Sequence, residues 1–172
     1  MSIILRPLED AGIPALFELL QHYDLYRYLT FPPPRSMEEL ALRLEVDVRS
    51  GGQVFTVHRE DAPERPVGFC RYRVEGAGRC NVGYTIGRDF WRQGYATRVV
   101  AALIEELICR RGVVEVVAEA NIDNVASIRA LEKNGFLYSG ATATTLKFEP
   151  SYELEYSLRL EGAAQSDAAG PL

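Results

Sequence analysis

Asn81-Val82-Gly83-Tyr84-Thr85-Ile86-Gly87-Arg88-Asp89-Phe90-Trp91-Arg92-Gln93-Gly94-Tyr95-Ala96-Thr97 is the stretch whose reading decides the fold. Residues 80–87 read as a strand, and a short loop follows with glycine at position 94. From 95 to 111 the apolar residues Ala96, Val99, Val100, Leu103, Ile104, Leu107 and Ile108 trace one face of a helix. The first turn of such a helix carries N–H groups without helical partners at the positive end of its dipole, which makes an anion site. Gly94 lets a phosphate approach the backbone, and Arg88, Arg92 and Arg98 add charge nearby. Taken alone, a strand–glycine–helix junction is explained equally well by packing. The stretch contains neither G-x-x-x-x-G-K-S/T nor a helix-opening G-x-G-x-x-G, so a P-loop and a dinucleotide fold are excluded.

Upstream, 2–6 alternates as a strand, and 10–20 has helical spacing at Ile13, Leu16, Phe17 and Leu20, opened by Asp10. The aromatic-rich stretch 23–31 ends in Pro32-Pro33-Pro34 and reads as a loop or short helical turn. Ser36 then caps a second helix with Glu39 as its capping-box partner. Leu40, Leu42, Leu44 and Val46 are expected to form its apolar side, and Ser50-Gly51-Gly52 to end it. Strands are expected at 53–59 and 67–75, with turns at 61–66 and at Gly76-Ala77-Gly78, so consecutive antiparallel pairing follows. Downstream come a β-branched run at 113–120, a helix at 123–134 with Gly135 as its cap, and strands at 136–143 and 152–160. Arg110 and Arg111 complement the dipole of the preceding helix, and Gly112 stops it. The order β-α-α-β-β-β-α-β-α-β-β describes a single α/β domain over 1–161 on a mixed sheet. A disordered tail is expected at 162–172.

The whole chain has 172 residues, which suits one domain burying about 70% of its extended surface without disulfides or structural metal. With 47% apolar and 25% charged residues, collagen-like and wholly disordered readings fall away. No apolar run approaches the ~18 residues of a membrane span, and 1–7 lacks a signal-peptide pattern, so a cytoplasmic protein is expected. The net charge of −5, with no Lys/Arg block, argues against direct nucleic-acid binding but leaves room for a local basic pocket. Cys70, Cys80 and Cys109 lack C-x-x-C spacing and read as reduced thiols, so no metal site is expected.

The segments Gly83-Tyr84-Thr85-Ile86 and Trp91-Arg92-Gln93-Gly94-Tyr95-Ala96 resemble the acyl-CoA-binding strand and loop of the GNAT superfamily of N-acetyltransferases. The likeness is to the branch that acetylates ribosomal-protein N-termini. A second block, Asn121-Ile122-Asp123-Asn124-Val125-Ala126-Ser127 followed by Leu131-Glu132-Lys133-Asn134-Gly135-Phe136, is similar to that family's N-x-x-N-x-x-S-x-x-x-L-E-K-x-G-F. The opening Ile4-Leu5-Arg6-Pro7-Leu8-Glu9-Asp10 also fits the branch, and the likeness covers about residues 2–160. It implies the GNAT fold: about seven strands flanked by about four helices, with the fourth and fifth strands splayed around the donor's pantetheine arm.

The resemblance implies acetyl-CoA as co-substrate and a primary amine as acceptor, attacked directly in a ternary complex. It places the arm against the backbone of Tyr84, Thr85 and Ile86, and the pyrophosphate on the amides of Arg92, Gln93, Gly94, Tyr95, Ala96 and Thr97. Asn121 and Asn124 stand where polar contacts to the arm are made. Asn124 also suits a helix cap, and Ser127 can bond its own backbone. Two positions depart from the family: Asn81 stands where relatives often carry a glutamate base, and Leu131 where many carry a tyrosine acid. Glu119 is the expected substitute base and Ser127 the substitute acid, with Tyr84 and Tyr138 as further candidates. Tyr23, Tyr26, Tyr28, Phe31 and Tyr152 can wall an acceptor pocket, and Asp24, Glu149 and Glu153 can attract a cation. A homodimer is compatible with the family. The competing readings are a non-catalytic acyl-CoA sensor and an unrelated nucleotide-binding domain.

Overall fold

A computed structural model describes residues 2–110 and 112–160. The tail expected at 162–172 and the dipole role of Arg111 lie outside the described residues. The strands are β1 (Ile3–Pro7), β2 (Gln53–Arg59), β3 (Ala62–Gly76), β4 (Arg79–Ile86), β5 (Glu115–Asn121), β6 (Leu137–Leu146) and β7 (Glu149–Arg159). The helices are α1 (Ile13–Leu20), α2 (Met37–Arg49), α3 (Tyr95–Ile108) and α4 (Val125–Lys133). Among the described residues all seven strands join one sheet in the order β1-β2-β3-β4-β5-β7-β6. Every neighbouring pair is antiparallel except β4 and β5, the pair bridged by α3. No helix among them is long and apolar enough to cross a membrane.

The sheet has two differently dressed faces, because side chains alternate along each strand. Cys80, Val82 and Ile86 of β4, with Val116, Ala118 and Ala120 of β5, bury against Tyr95, Val99, Val100, Leu103 and Leu107 of α3 and Leu131 of α4. On the other face, Leu16 and Leu20 of α1 and Leu40 and Leu44 of α2 pack on Val54 of β2 and Phe69 of β3. Those two helices cover only the β2–β3 side of the sheet, and the same face of β5 and β7 carries carboxylates and amides.

Four local expectations change. β3 begins at Ala62, not 67, so most of the turn expected over 61–66 is strand, paired irregularly with β2 through Arg59 with Ala62 and His58 with Pro66. In α2 the buried positions are Leu40, Leu44 and Asp47, whereas Leu42 and Val46 are 64% and 55% exposed. Residues two apart in a helix point about 200° apart, so the run 40-42-44-46 cannot share a face. Ser36 does cap α2 by accepting from the Glu39 N–H at 3.2 Å, but the Glu39 carboxylate accepts from the Arg35 N–H instead of completing a capping box. At the other end of the chain, β6 and β7 run closer together than 136–143 and 152–160 suggested. They meet at a two-residue turn, Lys147-Phe148, with φ of 52° and 72°. Such a turn matches the strand twist but normally uses Asn-Gly, so this sequence gives no turn signal there.

Candidate acyl-transfer site

β4 and β5 pair from Arg79 and Glu115 up to Val82 and Ala118, and there their pairing ends. β4 nevertheless continues to Ile86 against β3, and β5 continues to Asn121 against β7. Each strand is held by its outer neighbour while the inner edges part, which leaves a wedge open toward the C-terminal ends of both strands. The Thr85 carbonyl turns toward β3 and lies so close over Gly68 that a Cβ there would stand 2.3 Å from it. Since backbone groups alternate in direction along a strand, Tyr84 and Ile86 face the wedge. Thr85 does not, which corrects its expected place on the arm-binding edge. The Ile86 carbonyl already accepts from the Trp91 indole N–H at 2.8 Å, and this bond folds the following loop back over the strand end.

That loop delivers the mouth of α3. Arg92 and Gly94 both have positive φ, 61° and 79°, and Gly94 is the N-cap. The first bond into the helix runs from the Arg98 N–H to the Gly94 carbonyl at 3.3 Å, so Arg92, Gln93, Gly94, Tyr95, Ala96 and Thr97 lie ahead of it. Arg98 folds back to donate to the Gln93 carbonyl at 3.0 Å, which brings a cation to the loop. Beside the loop is a cleft of about 440 Å³ lined by Asp24, Arg27, Arg88, Asp89, Trp91 and Arg92. Arg88 is anchored there to Asp24 at 2.8 Å.

On the far side of the wedge, Asn124 accepts from the Ser127 N–H at 3.2 Å and so caps α4. Its side-chain oxygen is committed to that role. Asn121 is buried; its oxygen accepts from the Asp123 N–H at 3.1 Å and its amide donates to Ser151 Oγ at 2.9 Å. Ser127 projects to Tyr84, whose hydroxyl lies 2.9 Å from Ser127 Oγ. Burial raises the Tyr84 pKa above the ordinary phenol value, opposed by the bond to Ser127. Leu131, one helical turn on, is sealed in the core. Asn134, which the sequence did not single out, ties α4 to α3 by donating to the Thr97 carbonyl at 3.0 Å.

The face that α1 and α2 cover only in part holds the other polar groups. Alternation places Asn81 of β4, Glu119 and Asn121 of β5 and Glu153 of β7 together there, because Asn81 pairs with Val117 and Asn121 with Glu153. Arg71 donates to the Asn81 side-chain oxygen at 2.7 Å and lies 3.6 Å from Asp47. Burial outweighs the pull of Arg71 and Arg73 and leaves the Asp47 pKa raised. Glu119 is exposed just beyond the last β4–β5 pair. Glu153 is half-buried, and its pKa is raised by burial and further by the Glu119 charge, against a hydrogen bond from Asn121. Glu153 was among the acids expected to attract a cation, whereas Asp47 and Arg71 are the members of this set that the sequence reading did not assign. At the opposite rim Tyr23 is exposed with Lys147 over its ring at 5.8 Å, and Tyr26 is buried.

Residues 2–137 match the model of the acetyltransferase (GNAT) domain family. The chain belongs to the GNAT acetyltransferase family. This membership makes it an N-acetyltransferase with acetyl-CoA as co-substrate. Among curated proteins, the GNAT chain is 26% identical over 144 residues to the uncharacterized N-acetyltransferase YoaA of Bacillus subtilis, covering 80% of this chain and 81% of that protein. Its fold is similar to a RimL ribosomal L7/L12 α-N-protein acetyltransferase in complex with coenzyme A, with TM-score 0.82, 19% identity and 93% and 95% of the two chains covered. It is also similar to spermidine N-acetyltransferase of Vibrio cholerae in complex with CoA and spermine, with TM-score 0.80, 13% identity and coverage of 91% and 95%.

Proposed function

We propose that this GNAT enzyme acetylates a primary amine, a peptide N-terminus or a small molecule, by direct attack of the neutral amine on the bound thioester. The opened β4–β5 pair carries the proposal, since it lies between a helix mouth with unpaired N–H groups and a face bearing two neighbouring carboxylates, Glu119 and Glu153. The residues fit acetyl-CoA. Tyr84 and Ile86 offer a strand edge to an amide-rich arm, Gly94 leaves the helix mouth uncovered, and Arg92 and Arg98 supply positive charge. Asn121 and Asn124 flank the arm from β5 and α4. When bound, the thioester supplies an activated acetyl group.

The chain's own residues do the rest. An α-amino group titrates near ~8 and a lysine near ~10.4, so the acceptor arrives largely as a cation and must lose a proton. Glu119 and Glu153 attract the ammonium, and Glu119, the more exposed of the two, takes its proton directly or through water. Backbone N–H groups of the parted β4 edge hold the carbonyl oxygen as negative charge develops on it. Ser127 donates to the sulfur as the C–S bond breaks. The reading places the protein in the cytoplasm. The uncharged outer edge of β6 is where a second copy would add to the sheet as a homodimer.

The test is thiol release from acetyl-CoA against a panel of amines, including peptides with different N-termini and polyamines. Acceptor-dependent release with at least one class supports the proposal. Tight CoA binding with no release for any of them overturns it.

A further inference from the structure

The hydrogen bond between Tyr84 and Ser127 is the contact that crosses the wedge. It joins β4 to α4 two residues beyond the last β4–β5 pair, between side chains 43 residues apart in sequence. Ser127 is doubly fixed: Asn124 accepts from its backbone N–H, and Tyr84 meets its hydroxyl. A serine on the first turn of a helix has competing uses for its hydroxyl hydrogen, chiefly bonds to nearby backbone carbonyls. What decides the direction of that hydrogen is the partner that donates to the oxygen.

We infer that Tyr84 is a positioning residue for acyl transfer: its hydroxyl donates to Ser127 Oγ and thereby turns the Ser127 O–H into the wedge, toward the departing sulfur. This rests on the proposed function and assigns a role to a side chain whose backbone already faces the donor. Burial holds the phenol protonated, so Tyr84 has a hydrogen to give, and the Ser127 backbone carbonyl at 3.4 Å is the other acceptor within its reach. The arrangement also accounts for Leu131. With an aliphatic residue sealed into the core at the α4 position one turn on, the phenol comes from β4 instead and acts through the serine. In the step itself the N–C bond forms and the C–S bond breaks, with its electron pair going to sulfur. The amine's proton leaves by Glu119 and water. Ser127 and Tyr84 lend hydrogen bonds and surrender no proton, and the thiolate is protonated by solvent on release.

Tyr84→Phe keeps the ring and removes only the hydroxyl. The expected result is a fall in kcat of about tenfold with KM for acetyl-CoA within about twofold, since the lost bond acts on the leaving group and not on donor binding. Ser127→Ala should fall at least as far, and the double variant no further than Ser127→Ala, because the two act as one unit. A second readout needs no acceptor: titration of the thiolate ultraviolet absorbance of CoA bound to the full-length protein. Both variants should raise the bound thiol's pKa by about one unit, the equivalent of a tenfold change. Unchanged kcat in Tyr84→Phe, additive losses, or a bound thiol whose titration ignores both substitutions would each overturn the assignment. Failure of the wild type to turn over any amine would overturn the proposed function instead, and the CoA titration would still judge Tyr84. Melting temperatures of both variants identify a folding defect, in which case the titration of Ser127→Ala carries the decision.

Discussion

On the proposed mechanism, Glu119 and Glu153 divide the acceptor chemistry between an exposed and a half-buried carboxylate on neighbouring strands. Glu119→Gln should lower kcat about a hundredfold, the usual scale for losing a general base, with KM for acetyl-CoA within about twofold. A kcat near wild type would remove Glu119 from that role. Glu153 makes a separate prediction in stability. Its folded pKa lies above the unfolded value near ~4.3, so the native state holds the proton more tightly. Between the two values the unfolded chain has released its proton and the native one has not, so stability falls as pH rises through that window and stays lower above it. Glu153→Gln removes this loss. Its melting temperature relative to wild type should be higher at neutral pH than at about pH 4, and equal differences at both would contradict the cause given for the shift. Neither this behaviour nor the Arg71–Asn81 bond was legible in the sequence, because each depends on strands brought together only by the fold.

Among the elements, those with a strong local signal were read almost to their ends. The β4–loop–α3 unit and α4 carry glycines, a cap and helical spacing within one continuous segment. In α2, by contrast, four apolar residues at alternate positions concealed that Asp47 points inward to meet Arg71 and Arg73. The β6–β7 hairpin was shortened because its turn residues are Lys147 and Phe148. The proposed phosphate end lies on one contiguous motif, while the polar face proposed for the acceptor draws on β3, β4, β5, β7 and α2 and has none. The loop prediction is Gly94→Asp. It sets a carboxylate at the mouth of α3, where a Cβ meets Arg98 Nη1 at 3.3 Å and φ is +79°. Aspartate tolerates that conformation better than most residues, so a stability loss of about 1 kcal/mol is expected. CoA affinity should fall by at least about tenfold in calorimetry, and retained affinity would displace the phosphate from this loop.

At the scale of the molecule, a ligand that binds only the folded state stabilises it by mass action. Acetyl-CoA at about 100 times its Kd should add about 2.7 kcal/mol, roughly 5–10 °C in Tm for a domain of this size. ATP at the same concentration should give much less, and an equal response would favour a general nucleotide site. The overall order of elements was anticipated, since the β-α-β crossover and its flanking hairpins are each dictated locally, whereas the parting of the central strands was implied by the family resemblance alone. The separation of β4 from β5 also divides the sheet into two braced halves. One half, with β3 behind it, carries β4, its loop and α3; the other, with β7 and β6 behind it, carries Glu119, Glu153 and the hairpin rim. On the proposed mechanism, the β6–β7 hairpin lies clear of every residue assigned to the donor, so acceptor preference can drift there while the grip on the donor is left intact; β5 has no such freedom, because Asn121 sits on it.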